Sequence, residues 1–267
     1  KMKIESAVIS DVSAGALELS RSDGLTHIKS LPCFSVVQSL HGEYFIALDD
    51  GRKGETKEGG VFTAPPRRMQ TIVHRMDKAD GRMTARWVFF NAELNGMPAD
   101  VLFEFPLIAD EESAAALNEA LDGIFRNEDL LDRLAWCCQI LKTLLRTAKE
   151  KPRLPEGIAA ALAYIAKNFD RDLSVSALAA AAGMSLPAFY PAFKRYTGQT
   201  PVSYLTEFRL SRALKDILYT ARPIGEAAEA AGFADPLYFS RVFHERYGCS
   251  PRAYRKQYLE TMAGNRM

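Results

Sequence analysis

The sequence has little of what secreted, membrane-spanning and metal-binding proteins depend on. Its 267 residues include four cysteines, Cys33, Cys137, Cys138 and Cys249, and none of them forms a Cys-x-x-Cys motif. The spacing of the cysteines therefore indicates neither a disulfide framework nor a cysteine zinc site. No apolar signal core opens the sequence, and no stretch approaches the roughly 18 consecutive apolar residues of a membrane span. We expect a cytoplasmic protein with reduced thiols and no membrane partner.

Catalytic and cofactor motifs are also missing. Gly59-Gly60 lies between predicted strands and does not lead into a helix, so it indicates a turn rather than a phosphate-binding loop. No serine lies in a nucleophile-elbow pattern. The remaining enzyme hypothesis is a metal-dependent cupin using His41 and Glu43 on one strand face. It lacks a His-x-His motif, and His27 and His74 are isolated in the sequence. We therefore predict no catalytic residue, metal or cofactor.

Net charge is only +1, yet it divides unevenly along the chain. Residues 1–152 carry 19 Lys and Arg against 23 Asp and Glu, whereas residues 153–267 carry 15 against 10. An acidic half followed by a basic half is typical of a nucleic-acid-binding protein with a separate second domain. The segment Lys151-Pro152-Arg153-Leu154-Pro155 would interrupt a helix, and we interpret it as the interdomain linker.

Residues 1–110 are predicted to be a β domain. Turn signals such as Asp49-Asp50-Gly51, Asp80-Gly81 and Asn95-Gly96 separate short runs of β-branched and aromatic residues. Strands at this spacing favour a sandwich or a barrel. The predicted strands are Val36-Val37, Tyr44–Leu48, Val61–Thr63, Thr71–Val73, Trp87–Phe90 and Val101–Phe105.

Residues 111–150 are predicted to form two helices, because apolar residues recur there at helical spacing. Asn127 to Asp129 provides the turn between them. The apolar stripe is explained either by packing on the β domain of the same chain or by pairing with a second chain. Its members are Leu117, Leu121, Ile124 and Phe125, then Leu130, Leu134, Cys137, Cys138, Leu141, Leu144 and Leu145.

The last hundred residues contain two copies of one pattern. The opening glycines, Gly183 and Gly232, are 49 residues apart, and the closing prolines, Pro201 and Pro251, are 50 apart. Each copy places a short alanine-rich segment before a glycine turn and an amphipathic helix, as a helix-turn-helix motif requires. The helix between the copies spans about 19 residues, or roughly 28 Å. Neighbouring major grooves lie about 34 Å apart, so one chain could reach two of them.

The second helix of each copy has one apolar face, formed by Phe189 and Phe193 in the first and by Phe239 and Phe243 in the second. The opposite face would then be free to enter a DNA groove. A helical solenoid without DNA binding is the alternative, but solenoids need three or more repeats. The predicted DNA-binding residues are Ser185, Leu186, Pro187, Tyr190, Lys194 and Arg195 in the first copy, and Asp235, Pro236, Leu237, Arg241 and His244 in the second.

The segments Ala231-Gly-Phe-Ala-Asp-Pro-Leu-Tyr-Phe-Ser-Arg-Val-Phe243 and Gly248-Cys-Ser-Pro-Arg-Ala-Tyr-Arg255 resemble the AraC/XylS family of transcription regulators. The resemblance covers Ile158 to Tyr258. It implies that the third and sixth helices of this domain enter adjacent major grooves. One departure is Pro191, where the family usually has arginine. Proline tends to kink a helix and supplies no guanidinium to read guanine, so the second copy is expected to discriminate bases more strongly.

The resemblance also implies a cupin-like barrel that binds a small effector. Gln70 and His74 would share one strand face, and Trp87 would join Ala85 and Phe89 on another. An indole with amide and imidazole groups suits a sugar, although ordinary core packing explains the same residues. Arg67-Arg68 could meet an anionic effector or simply be solvated.

The predicted fold is thus α+β multidomain, with a cupin-like β-barrel sensing domain at 1–110, a helical linker and dimerisation segment at 111–150, and an all-α double helix-turn-helix domain at 153–267. The predicted function is that of a bacterial, cytoplasmic transcription activator controlled by a small molecule. Its predicted partners are double-stranded DNA, an effector such as a sugar, a second copy of the chain and RNA polymerase. A metal-dependent cupin enzyme and a ligand-independent interaction scaffold are the alternatives. Salt-dependent DNA binding would separate them.

Overall fold

The computed structural model describes residues 2–20, 26–127 and 129–263. The chain divides into two compact units, Lys1–Lys151 and Pro152–Met267. The first unit is built mainly from antiparallel strands, and the regular structure described in the second is all helical, so the predicted α+β multidomain fold class is confirmed.

Two antiparallel sheets form most of the first unit. One sheet has the order β1-β8-β3-β6 with β9 added to β8, and the other has the order β2-β7-β4-β5. These strands are β1 Ala7–Ser20, β2 Thr26–Ser30, β3 Phe34–His41, β4 Glu43–Leu48, β5 Lys53–Thr56, β6 Val61–Ala64, β7 Met69–Arg75, β8 Arg82–Leu94 and β9 Met97–Pro98. The predicted turn at Asn95-Gly96 joins β8 to β9, with φ of +51° and +74° at its two residues. Asparagine and glycine tolerate this left-handed backbone best.

The middle of strand β8, residues 87–90, is buried on both faces, because its two sets of alternating side chains pack against different layers. Val88 and Phe90 belong to a core shared with two helices, α2 Glu111–Arg126 and α3 Leu130–Thr147. Trp87 and Phe89 face the other way, towards the second sheet, where Lys29 Nζ of β2 lies 5.5 Å from the centre of the Phe89 ring. The space between the two sheets is hereafter called the intersheet interior.

Helices α2 and α3 cover the outer face of the first sheet. The side chain of Asp110 accepts a hydrogen bond from the Ser113 amide, and that of Asp129 accepts from the amide of Leu131. Both therefore cap a helix start. Most of the apolar stripe packs on the same chain, with Leu117, Leu121, Ile124, Cys137, Leu141 and Leu144 buried in the shared core. Leu130, Phe125 and Cys138 are exposed instead.

The strand predictions were incomplete and in one place wrong. Val101–Phe105 is not a strand, because Pro98 precedes the short helix α1 Ala99–Leu102 and only β10 Phe103–Glu104 pairs, with β11 Lys149–Glu150. Strands β1, β2 and β5 were missed. β2 and β5 are short and mostly polar, and β1 interrupts its apolar residues with serines, an aspartate and a glycine; pairing with neighbouring strands holds all three extended.

The second unit contains seven helices in its described part: α4 Glu156–Asn168, α5 Val175–Ala181, α6 Leu186–Thr197, α7 Pro201–Tyr219, α8 Ile224–Ala230, α9 Pro236–Tyr247 and α10 Pro251–Ala263. Helices α5 and α6 meet at 84°, close to the perpendicular arrangement of a helix-turn-helix. No single helix in the described ranges is long and apolar enough to cross a membrane, and only this bent pair reaches the required length and composition together.

The two copies of the repeat agree in their packing as well as in their sequence. The rings of Phe193 and Tyr204 meet edge to face at 5.6 Å, and those of Phe243 and Tyr254 do the same at 5.8 Å. Gly198 and Gly248 end α6 and α9 in the left-handed conformation, with φ of +77° and +75°. Glycine is favoured there because it carries no Cβ.

Two arginine side chains connect the joining helix α7 to the segments packed beside it. Arg209 of α7 donates hydrogen bonds to the carbonyls of Phe169 and Arg171, just beyond the end of α4. Arg255 of α10 donates to the carbonyls of Ile217 and Arg222, at the end of α7. A guanidinium satisfies carbonyls that the end of a helix leaves unpaired. These contacts hold α7 against the helices of both copies.

Candidate DNA interface and effector site

Helix α6 presents a continuous exposed face. Phe189 and Phe193 are fully buried beneath it, which directs the rest of the helix outwards. The predicted contact residues of the first copy all lie on this exposed surface: Ser185, Leu186, Pro187, Tyr190, Lys194 and Arg195. The face therefore offers apolar and aromatic groups near the helix start and two cationic groups in its last turn.

Two details of α6 concern its backbone hydrogen bonds. Ser185 occupies the N-cap position, but its hydroxyl makes no capping hydrogen bond. Pro191 does not end the helix, since α6 runs uninterrupted for 12 residues with Pro191 exposed inside it. Proline has no amide hydrogen, so the carbonyl of Pro187, four residues earlier, lacks its usual helical donor. Both features leave hydrogen-bonding groups available on the outer surface.

Helix α9 presents an equivalent face with different chemistry. Leu237 is 81% exposed at the helix start, and Arg241 and His244 are exposed further along. The guanidinium of Arg241 lies 3.1 Å from the Glu245 carboxylate and 5.3 Å from the centre of the Tyr238 ring. An exposed pair one helical turn apart contributes little stability, so Arg241 can leave Glu245 at little cost.

Asp235 has a structural role at the start of α9. Its carboxylate accepts a hydrogen bond of 2.8 Å from the Leu237 amide and caps α9. Pro236 is the first helical residue, where its fixed φ and missing amide are favourable. Together these residues fix the start of the helix that carries Leu237 and Arg241.

The intersheet interior contains a second group of chemically unusual residues. Gln70, His74 and Trp87 are 0%, 2% and 8% exposed. Within the described residues, no hydrogen-bond partner exists for the Gln70 amide, either His74 ring nitrogen or the Trp87 indole nitrogen. Ser35 Oγ is buried and unpaired in the same sense. Buried polar groups are normally paired, so this concentration requires an explanation.

The strand register brings these groups together. Lys29 lies opposite Gln70 in the β2–β7 ladder, and Tyr44 lies opposite His74 in the β4–β7 ladder. The rings of His27 and His74 are 4.8 Å apart, and those of Tyr44 and His74 are 4.9 Å apart. Residues opposite each other in an antiparallel ladder point to the same face. The intersheet interior therefore combines amide, imidazole, ammonium and aromatic groups.

Burial and mutual repulsion weaken the positive charge of this group. Burial, followed by the charges of His27 and Lys29, lowers the pKa of His74 to about 3. Burial also lowers the pKa of His27, with a further contribution from Lys29. The pKa of Lys29 falls to about 8, again through burial. Near neutral pH the two imidazoles are thus neutral and Lys29 is the cation among these groups.

Lys29 and Ser35 were missed by the sequence predictions, and His27 and His74, which are isolated in the sequence, lie side by side in the structure. The segment Thr26-His-Ile-Lys-Ser30 alternates polar residues around one isoleucine, so its sequence indicates no strand. In the structure Ile28 is 65% exposed, while His27 and Lys29 point to the opposite side, towards His74 and Phe89. The one signal in the sequence was the two-residue spacing of His27 and Lys29, which places both side chains on the same face of a strand.

The sequence also suggested an anion site at Arg67-Arg68 and a metal site at His41 and Glu43 in the β domain. Arg67 pairs with Asp100 at 2.8 Å, and Arg68 lies 3.6 Å from Asp49, so the arginine pair already has carboxylate partners. His41 and Glu43 do not share a strand face, because Gly42, with φ of +77°, turns the chain between β3 and β4.

The nitrogens of His41 instead pair with Glu58 and Asp80, both at 3.1 Å. Hydrogen bonding and charge from Asp80, the largest cause, and then from Glu58 raise the pKa of His41. Its ligand atoms and those of Asp77 and Asp80 lie within 4.8 Å of one another on the surface. An exposed acidic cluster of this kind is commonly an ion-pair network rather than a metal site.

Two helix-turn-helix motifs with exposed second helices, joined by an anchored helix in the basic part of the chain, define a DNA-binding transcription regulator. Residues 178–257 match the family described as a helix-turn-helix domain. The transcriptional activator NphR of Rhodococcus sp. is 35% identical over 268 residues, covering 89% of this chain and 76% of NphR. The chain therefore belongs to the AraC family of transcription regulators. It is a DNA-binding transcription activator and not an enzyme.

Two further similarities agree with this assignment. The activator RhaR of Pectobacterium atrosepticum is 43% identical over 67 residues, or 25% of this chain and 24% of RhaR. The crystal structure of ToxT from Vibrio cholerae O395 covers 95% of this chain and 98% of that one, with a TM-score of 0.63 and 10% identity. At that identity the likeness to ToxT shows the fold alone, and it extends over both units.

Proposed function

We propose that this activator contacts its operator through the exposed faces of α6 and α9 and responds to a small molecule bound in the intersheet interior. The observation that carries the effector part is the set of buried, unpaired polar groups on Gln70, His74 and Trp87. Leaving such groups unpaired costs folding free energy, and a ligand would satisfy them. A sugar, as the sequence predicts, would supply hydroxyl partners and an apolar ring face for Trp87.

The proposed DNA contacts form two chemical groups, one to bases and one to phosphates. Leu186, Pro187 and Tyr190 on α6 and Pro236, Leu237 and Arg241 on α9 would face bases. Lys194, Arg195 and His244, together with the Ser185 hydroxyl, would contact phosphates. Arg241 supplies the guanidinium that best reads guanine, and Leu237 supplies an apolar contact for a thymine methyl group. Asp235 is proposed to act through the helix start that it caps.

The remaining partners follow from the same function. A homodimer through α3 is supported by the exposure of Leu130, Leu131 and Cys138 along that helix. An activator bound beside a promoter would act with RNA polymerase in the cytoplasm. Sedimentation at micromolar concentration tests the dimer, and a sedimenting monomer would contradict it.

The direct test of DNA recognition is duplex binding measured across a salt series. Phosphate contacts release counterions, so affinity must fall steeply as salt rises. Selection of bound duplexes from a random pool would identify the operator. The direct test of effector binding is a thermal-shift screen of sugars and other metabolites, since a ligand that binds the folded state raises Tm. A compound that also changes operator affinity would be the effector.

A further inference from the structure

Resting on the effector site proposed above, we infer that the intersheet interior takes an organic carboxylate with an apolar or aromatic body, held by Lys29 and oriented by Gln70 and the two histidines. The inference names the class of ligand for that site. It rests on a cation, a set of neutral hydrogen-bonding groups and an aromatic wall that the strand register brings together.

The cation is directed into the interior, and it has no acidic partner within the part of the chain that the structure describes. Lys29 Nζ, on β2, lies 5.5 Å from the centre of the Phe89 ring, which is on β8 of the opposite sheet. No carboxylate among the described residues pairs with Lys29, and the Cys33 thiol is what raises its pKa against the effect of burial. A partly buried ammonium without a counterion costs free energy, which an incoming anion would recover.

The neutral groups surround the same position. Gln70 is directly opposite Lys29, and its amide is fully buried without a described partner. His74 is unpaired at both nitrogens and lies against His27 and Tyr44. Amide and imidazole N–H groups donate hydrogen bonds to carboxylate oxygens, and such charge-assisted bonds are among the strongest in proteins. A neutral sugar, the class that the sequence predicts, would supply hydroxyl partners but leave the charge of Lys29 uncompensated, so an acid fits this site better.

Aromatic rings form the rest of the lining. Trp87 and Phe89 lie in a stacked arrangement with ring centres 6.0 Å apart, and Tyr44 meets Phe62 edge to face at 5.4 Å. These surfaces suit the body of an aromatic or aliphatic acid. The unpaired indole nitrogen of Trp87 adds one donor at the side of this wall.

Proton linkage gives the inference a distinctive signature. Because the pKa of Lys29 is about 8 in the free protein, a bound carboxylate would raise it by favouring the charged form. Affinity should therefore hold below pH 8 and fall as pH rises above it, about tenfold per unit. Among the other groups facing Lys29, His27 and His74 have lowered pKa values and burial raises the pKa of the Tyr44 hydroxyl, so these three stay neutral there. Cys33 is the further titratable group near Lys29, and its negative charge raises the pKa of Lys29.

The test uses the full chain with phenylacetate and octanoate, their uncharged amides, and D-glucose and D-xylose, followed by calorimetric titration. We expect the two acids to bind and their amides and the sugars to fail. Lys29→Met should weaken acid binding by roughly 10- to 100-fold and remove its pH dependence, while Lys29→Arg should retain part of it. Lys53→Met, which removes an exposed lysine from β5 at the opposite edge of the same sheet, is the matched control and should change nothing.

The Tm of the ligand-free variant distinguishes a specific loss of binding from misfolding. Lys29→Met should raise the Tm of the free protein, because it removes an uncompensated charge; a lower Tm would show that Lys29 is structural and would overturn the inference. Equal binding of amides or sugars, unaffected by Lys29→Met, would overturn the anion class while the effector site stands. Binding of none of the probes would also overturn it, and the wider metabolite screen would then judge the effector site itself.

Discussion

Replacing Gln70 by methionine should stabilise the protein in the absence of ligand. Gln70 is fully buried in β7, and neither its amide nitrogen nor its amide oxygen has a described hydrogen-bond partner. An unsatisfied buried group costs about 1–3 kcal/mol. Methionine has nearly the same length and is flexible enough to occupy the same space. We therefore expect the free energy of unfolding to rise by about 1–3 kcal/mol.

Thermal and urea denaturation of the ligand-free protein measure this change. For a unit of this size, roughly 3 °C accompanies each kcal/mol, so Tm should rise by about 3–9 °C. Gln38 supplies the matched control: it is also buried, but its side-chain oxygen accepts a hydrogen bond from Arg86. Gln38→Met should lower Tm, because it leaves the Arg86 guanidinium with one partner fewer.

The comparison can refute the reasoning in a simple way. If Gln70→Met lowers Tm as much as Gln38→Met does, then Gln70 has a partner in the free protein, such as a bound water molecule. The unpaired amide would then no longer indicate a ligand site. If Gln70→Met is more stable and no longer responds to the effector, then Gln70 lowers the stability of the free protein and is needed for ligand binding.

Three further predictions concern the DNA-binding unit. Arg241→Ala should relax base preference at one operator position at a cost of about 1–3 kcal/mol, whereas Lys194→Ala should weaken all sequences alike and reduce the salt slope by about one; binding selections at two salt concentrations would expose the reverse pattern. Pro191→Ala should stabilise the unit by up to about 3 kcal/mol, because alanine restores the amide that bonds the carbonyl four residues earlier, and an unchanged urea midpoint would contradict this. Thr200→Ala should cost about 1 kcal/mol, since the Thr200 hydroxyl caps α7, while Ser185→Ala should cost little stability and mainly weaken DNA binding; equal losses of stability would contradict the difference in capping.

The helix-turn-helix unit could be predicted from the sequence because its determinants are local. The glycines at 198 and 248, the prolines at 201 and 251, and the phenylalanine pairs four residues apart each act within one or two helical turns. Each of these three signals occurs twice, once in each copy of the repeat. The exposed faces of α6 and α9 follow directly from which side the phenylalanines bury.

The effector site could be predicted only in part. Gln70 and His74 on one strand, and Trp87 with Phe89 on another, share faces because strand periodicity is local. Lys29 was not found, since β2 is polar and is held extended by its pairing with β7. The pairing of His41 with Glu58 and Asp80 was equally invisible, because those residues come from separate turns.

The sequence alone determined the class of protein: a basic repeat of two helix-turn-helix motifs behind an acidic β domain. These properties depend on spacing and composition, which the chain carries with it before it folds. Only the tertiary structure decided that Lys29 lies opposite Gln70, 41 residues away in the chain, and that both face a set of unpaired buried groups. Strand register depends on the cooperative pairing and burial of distant segments, so the chemistry of the site arises only when the sheets form.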